Sequence, residues 1–248
     1  MRTCIVFRGE NLRHKRGLTS ALECLDNWKE TILDVIDCDV AFFTYPSDIL
    51  DELIEKMSPV HVCTSGYHCQ DTNVLAAVNW MTENIKRYDR FVLLRFDFMY
   101  RLRINEWPHW DKNGITLTSK DVSYPMLHFY HDMVFIIDAG WVNHFKEVFV
   151  AEGKLRLGLH HIGKYLEEMP DVPFYVMFPE NLYRQIPICA THPVEARPNL
   201  EEGCHFHLWD TPTQTSNLPK QNINRQIKKE VLTTKRTRPF VIFNTKNK

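Results

Sequence analysis

The sequence has no run of 18 apolar residues, so no segment reads as a membrane-spanning helix. It has no secretory hydrophobic region near its start: the apolar run Cys4–Phe7 is strand-sized and meets Arg8. Its seven cysteines are odd in number and irregularly spaced, which argues against a disulfide framework and for a reducing compartment. Net charge is only −1, so nothing pulls the whole chain toward nucleic acid or an acidic membrane. No Gly-x-Gly-x-x-Gly and no Gly-x-x-x-x-Gly-Lys-Ser/Thr occurs, which disfavours NAD-type Rossmann domains and P-loop NTPases. No His-Glu-x-x-His, Gly-x-Ser-x-Gly or internal repeat stands out either.

What is present is an alternation of strands and helices over the first hundred residues. Residues 2–7 read as a buried strand closed by Arg8-Gly9. Leu22, Leu25, Trp28, Ile32 and Ile36 recur at helical spacing over 19–36, with Thr19 or Ser20 as cap. Val40–Thr44 is a second strand, and a short helix follows with Ser47 or Asp48 as its expected cap. Pro59–Cys63 is a third strand. Residues 71–87 carry one apolar stripe of Val74, Val78, Met81, Ile85 and Tyr88, and Arg90–Leu94 is a fourth strand. Gly114–Thr118, Met133–Ile137 and Phe174–Phe178 read as strands, Ala139–Val150 and Leu157–Met169 as helices, and 187–220 as loop. The alternation implies βαβ units and an α/β fold with a mostly parallel sheet covered on both faces.

Such sheets bind ligands outside the carboxyl ends of their strands. Four segments therefore form the expected site: Arg8-Gly9, Thr44-Tyr45, Thr64-Ser65-Gly66 and Arg95-Phe96-Asp97. Asp97 can hold a divalent metal that in turn holds a diphosphate, or it can pair with Arg95. Gly9 lets backbone N–H groups approach an anion, and Arg8 and Arg13 add charge. A literal Asp-x-Asp, Asp37-Cys38-Asp39, precedes the second strand and so falls at the wrong end of the sheet. Asp132 is either a base or sugar-hydroxyl ligand, or the cap of the next element. Cys189, His192, Cys204 and His207 have ligand types suited to tetrahedral zinc; alternatively His205 or His207 completes a metal site begun by Asp97. Residues 211–248 hold nine Lys/Arg and one acid, Glu230, without interleaved aromatics, and read as a solvated basic extension more than a nucleic-acid surface.

Together these residues resemble a glycosyltransferase group, bacterial and viral, with a nucleotide-diphosphosugar (GT-A-like) fold. The resemblance rests on Arg8-Gly9-Glu10-x-x-Arg13, Asp39–Tyr45, Ser58-Pro59-Val60, Tyr88-Asp89-Arg90 leading into Val92–Asp97, and Asp132 before an apolar strand. It covers roughly residues 2–150. It implies a Rossmann-type α/β sandwich over residues 1–210, with a nucleotide-binding half (1–100) and an acceptor half (101–210), followed by the extension 211–248. It also implies transfer of a hexosyl or pentosyl group from a nucleotide-sugar donor to a glycan or other acceptor. Arg8, Gly9, Arg13, Thr44, Tyr45, Arg95 and Asp97 would bind the donor, and Asp132 would be the catalytic base. Mn²⁺ or Mg²⁺ would sit on Asp97, with His207 as a further ligand. Arg95 stands where stronger relatives carry the first carboxylate of Asp-x-Asp, and it can neutralise diphosphate charge itself. The expected location is the cytoplasm, or the host cytoplasm for a viral source. The alternatives are a nucleotidyltransferase-like α/β enzyme and a zinc-stabilised binding module.

Overall fold

The computed structural model describes residues 1–13, 19–66, 70–119, 130, 132–151, 154–155, 159, 162–178, 189–190 and 241–243. The alternation expected for the first half is present. Strands β1 (Thr3–Gly9), β2 (Cys38–Thr44), β3 (His61–Thr64) and β4 (Arg90–Arg95) are separated by helices α1 (Ala21–Trp28), α2 (Leu50–Met57) and α3 (Gln70–Glu83). The second half adds β5 (Ile115–Ser119), β6 (Val134–Asp138), α4 (Val142–Phe149), α5 (Ile162–Glu167) and β7 (Phe174–Phe178). A short strand β8 (Val241–Phe243) closes one edge.

These strands form one sheet in the order β7-β5-β6-β4-β1-β2-β3-β8. β2 and β4 flank β1 in parallel, β3 is parallel to β2, and β7 is parallel to β5. β6 runs antiparallel to both β4 and β5, and β8 antiparallel to β3. The fold is therefore the mostly parallel α/β sandwich expected, with one reversed strand inside it. Strand order reverses at β1: β2 and β3 lie to one side and β4 to the other. Open α/β sheets bind ligands at such a switch point.

The side chains of β1 alternate between two cores, as a fully buried strand requires. Ile5 and Phe7 face Cys24, Leu25 and Trp28 of α1 and Leu53 of α2. Cys4 and Val6 face Val74, Val78 and Met81 of α3 and Phe145 of α4. In the first core Phe7 lies 4.5 Å from Trp28 and 5.3 Å from Phe96, ring centre to ring centre. That aromatic cluster fixes the segment that follows β4.

The first helix is shorter than the apolar period suggests. Ser20 caps it by accepting from the Leu22 N–H at 3.2 Å, but at Lys29–Leu33 it continues as a wider turn. Thr31 Oγ1 donates to the Asn27 carbonyl at 2.6 Å, a back-bond of the kind that bends helices. Neither Ser47 nor Asp48 caps α2. Ile49 occupies the cap position without a side-chain bond, and the entry is a backbone turn from Leu50 N–H to the Ser47 carbonyl at 3.3 Å. Among the described residues no helix is long and apolar enough to cross a membrane.

Candidate functional site

Arg8 and Arg95 are register partners on adjacent parallel strands, one residue from the carboxyl end of β1 and at the end of β4. Both side chains project from the same face as Val6 and Leu93, toward the α3 core. Arg8 is 1% exposed, Arg95 3%, Asp97 7% and Asp132 2%. Four charged groups thus share a dry position at the switch point.

Their pairing is asymmetric. Arg95 Nε donates to Asp97 Oδ1 at 2.8 Å and Nη2 to Asp97 Oδ2 at 2.7 Å, a two-pronged fork on one carboxylate. Arg95 Nη1 reaches Asp132 Oδ1 at 3.3 Å. Arg8 uses only Nη2, which donates to the Asp132 carbonyl and lies 3.4 Å from Asp132 Oδ2. Its Nε and Nη1 are buried and have no hydrogen-bond partner among the described residues. Leaving a buried donor unsatisfied costs on the order of 1–3 kcal/mol. Burial pulls the Arg8 guanidinium below the ordinary arginine value; Asp132 opposes that shift and Arg95 adds to it.

A small, partly open cleft lies here, lined by Arg8, Gly9, Glu10, Gln70, Arg95 and Asp97. Gly9 has φ +94°, and a Cβ added to it would meet no atom within 4 Å. Glycine is needed there for the backbone turn, and the space above it is open to a ligand. The turn is braced from β2: Thr44 Oγ1 donates to the Gly9 carbonyl at 2.7 Å, and Asn11 Nδ2 donates to the Tyr45 carbonyl at 3.1 Å. Thr44 and Tyr45 therefore shape the turn from behind and do not line the cleft.

The segment carrying Asp97 is held by α1. Trp28 Nε1 donates to the Phe98 carbonyl at 2.7 Å. Asn27 bonds both sides of the Tyr100 backbone: it accepts from the N–H at 2.6 Å and donates to the carbonyl at 2.7 Å. Arg95 also lies over the Phe98 ring, 4.8 Å from its centre.

Four of the expected donor-binding residues, Arg8, Gly9, Arg95 and Asp97, meet in the cleft. Asp132 joins the network behind them and is not part of the cleft lining. The backbone of Arg13 pairs with Thr19 beside the turn, and its side chain lies outside the described residues. Cys189 pairs through its backbone with Tyr100, whereas His192, Cys204, His205 and His207 lie outside the described residues. So does the basic extension, apart from Val241–Phe243. The literal Asp-x-Asp is at the amino end of β2, where Asp39 accepts from Tyr88 Oη at 2.7 Å and pairs with Arg2. Nothing local in the sequence marks Gln70 as part of the cleft, or Asn11 and Asn27 as braces; the partners of Asn11 and Asn27 are 34 and 73 residues away.

The arrangement does not fit a divalent cation on Asp97. Both of its oxygens accept from one guanidinium, and both oxygens of Asp132 face guanidinium nitrogens. Among the described residues no three His, Cys, Asp or Glu side chains converge as a metal set.

No protein-family model matches the chain, and neither does any curated protein. Many solved structures resemble it at low similarity, the following two among them. A protein described as a nucleotide-diphospho-sugar transferase, from Desulfovibrio desulfuricans G20, is 12% identical with a TM-score of 0.44, over 71% of this chain and 80% of that one. A protein described as a glucose-1-phosphate thymidylyltransferase, from Bacillus anthracis and solved with sucrose, is 10% identical with a TM-score of 0.44, over 73% of this chain and 87% of that one.

Proposed function

We propose that this chain is a glycosyltransferase that takes a sugar from a nucleotide-sugar donor seated across the carboxyl ends of β1 and β4. The observation that carries this reading is the pair of adjacent, buried arginines, Arg8 and Arg95, at the sheet's switch point beside an open glycine turn. A buried cation with unsatisfied donors at that position, as Arg8 is, calls for an anionic ligand. The donor diphosphate is such a ligand, and the sequence resemblance over residues 2–150 points to the same class.

In the transfer, the bond between the sugar's anomeric carbon and the donor phosphate oxygen breaks, and a bond to the acceptor oxygen forms. The acceptor's proton leaves to a base, and negative charge grows on the departing nucleoside diphosphate. Guanidinium groups held at that oxygen stabilise the growing charge without having to reorganise. Gly9 brings backbone close to the donor, and Thr44, Tyr45 and Asn11 keep that turn in place. Asp97 aims Arg95. Asp132 holds both arginines at a fixed separation, a positioning task in place of the base role expected from the sequence, because both of its oxygens face guanidinium and it lies off the cleft.

The test is thermal-shift measurement against a panel of nucleotide sugars and nucleoside diphosphates. Stabilisation by at least one nucleotide sugar that is lost in Arg8→Lys supports the reading. Stabilisation by nucleoside triphosphates alone would replace it with a nucleotidyltransferase.

A further inference from the structure

We infer that Asp97 is a built-in competitor of the ligand: its carboxylate occupies the edge of Arg95 that a phosphate of the ligand takes on binding. The inference rests on the transferase reading for the identity of that ligand.

Arg8 has Nε and Nη1 to offer an anion, but the site as a whole is balanced against one. Two guanidinium groups, Arg8 and Arg95, stand among three carboxylates: Asp97 and Glu10 in the cleft lining and Asp132 behind it. The cleft in this arrangement holds no more than a water-sized body. A phosphate would therefore lack room, and it would meet like charge in a buried site where repulsion is weakly screened. Withdrawing one carboxylate from the arginines removes both obstacles.

Asp97 is the carboxylate placed to withdraw. Its side chain is 9% exposed and lines the cleft, whereas that of Asp132 is 3% exposed and spans both arginines from behind. Asp97 also lies in the turn after β4 and not in a strand. The fork it accepts from Arg95, at 2.8 and 2.7 Å, is one that a phosphate accepts equally well. The exchange thus conserves hydrogen bonds. Arg95 has two other supports: Nη1 reaches Asp132 at 3.3 Å, and the guanidinium lies over the Phe98 ring at 4.8 Å. Its freed Nε and Nη2 would join the Nε and Nη1 of Arg8, its register partner, as two edges for a diphosphate. Asp97 aims Arg95 in the ligand-free state and yields it on binding.

The test is calorimetric titration of the full chain with inorganic pyrophosphate and a panel of nucleoside diphosphates, in EDTA and then with Mn²⁺. Asp97→Asn keeps the volume and an acceptor for Arg95 but loses the charge, and should bind in EDTA about tenfold or more tighter than wild type. Asp97→Glu restores the charge and should bind no tighter than wild type. In the double variant Asp97→Asn with Arg95→Lys the gain should vanish, because lysine has no planar fork to offer. Melting curves give a second reading of the sign: Asp97→Asn should melt below wild type without ligand and show the larger upward shift with it. A metal-bridged site predicts the opposite sign. Asp97→Asn that binds no tighter than wild type, or wild-type binding that needs Mn²⁺ and is lost in Asp97→Asn, overturns the inference and leaves the transferase reading standing. A gain that survives Arg95→Lys overturns it too, since the group set free is then not Arg95. No diphosphate binding by wild type or any variant defeats the inference and the transferase reading together.

Discussion

Arg8 and Arg95 sit side by side on parallel strands, and one carboxylate spans them: Asp132 Oδ2 is 3.4 Å from Arg8 Nη2, and Asp132 Oδ1 is 3.3 Å from Arg95 Nη1. Two guanidinium groups at adjacent register positions repel each other, and Asp132 offsets that repulsion. Removing it while leaving both arginines buried should cost about 3–5 kcal/mol. Asp132→Ala is expected to lower the urea midpoint accordingly, with Asp132→Asn less affected because it retains an acceptor. Equal midpoints for Asp132→Ala and wild type would show that the spanning carboxylate is not a structural requirement.

The β1/β4 end of this site was legible in the sequence because it depends on local pattern. The apolar runs that end at Phe7 and Leu94 place Arg8 and Arg95 at strand ends, and the βαβ order brings those ends together. The reversal of β6 was not legible, since a buried strand reads the same in either direction. The cap of α2 misled for a similar reason: Ser47 and Asp48 have the right chemistry, but a backbone turn makes the entry. Asn27 was invisible because its role is to complete the hydrogen bonding of Tyr100, 73 residues away.

That bond pair makes Asn27 a brace for the segment carrying Asp97. In Asn27→Ala the Tyr100 N–H loses its acceptor, at a cost of about 1–3 kcal/mol. Arg95 should then be aimed less well, raising KM for the donor more than the fall in stability alone would. Denaturant unfolding and steady-state kinetics on the same preparation separate the two effects. An unchanged KM in a destabilised variant would limit Asn27 to holding the fold.

Gly163 in α5 lies against Tyr130, and a Cβ there would overlap the ring. Although alanine is the better helix former, Gly163→Ala is expected to be destabilising by about 1–3 kcal/mol through overpacking. A gain in Tm would show that the ring moves aside freely.

His61 on β3 stacks on Trp80 at 5.1 Å between ring centres. Burial lowers its pKa below the ordinary 6.5, with Glu83 opposing. The unfolded chain therefore takes up the proton first as the pH falls. The stability that His61 contributes is present above pH 6.5 and is lost as the pH drops toward the lower folded-state value. His61→Phe should flatten the stability profile across that window, read from urea midpoints at stepped pH. A wild-type profile that stays flat there would contradict the assignment.

The central claim is that the arginine pair beside Gly9 serves transfer from a nucleotide sugar. It is tested most directly by incubating the full chain with a panel of nucleotide sugars and measuring released nucleoside diphosphate, with water as the acceptor of last resort. Release from at least one donor is expected, reduced about tenfold or more in Arg8→Lys with the fold intact. Consumption of no donor, with no nucleotide sugar raising the Tm, would contradict the account.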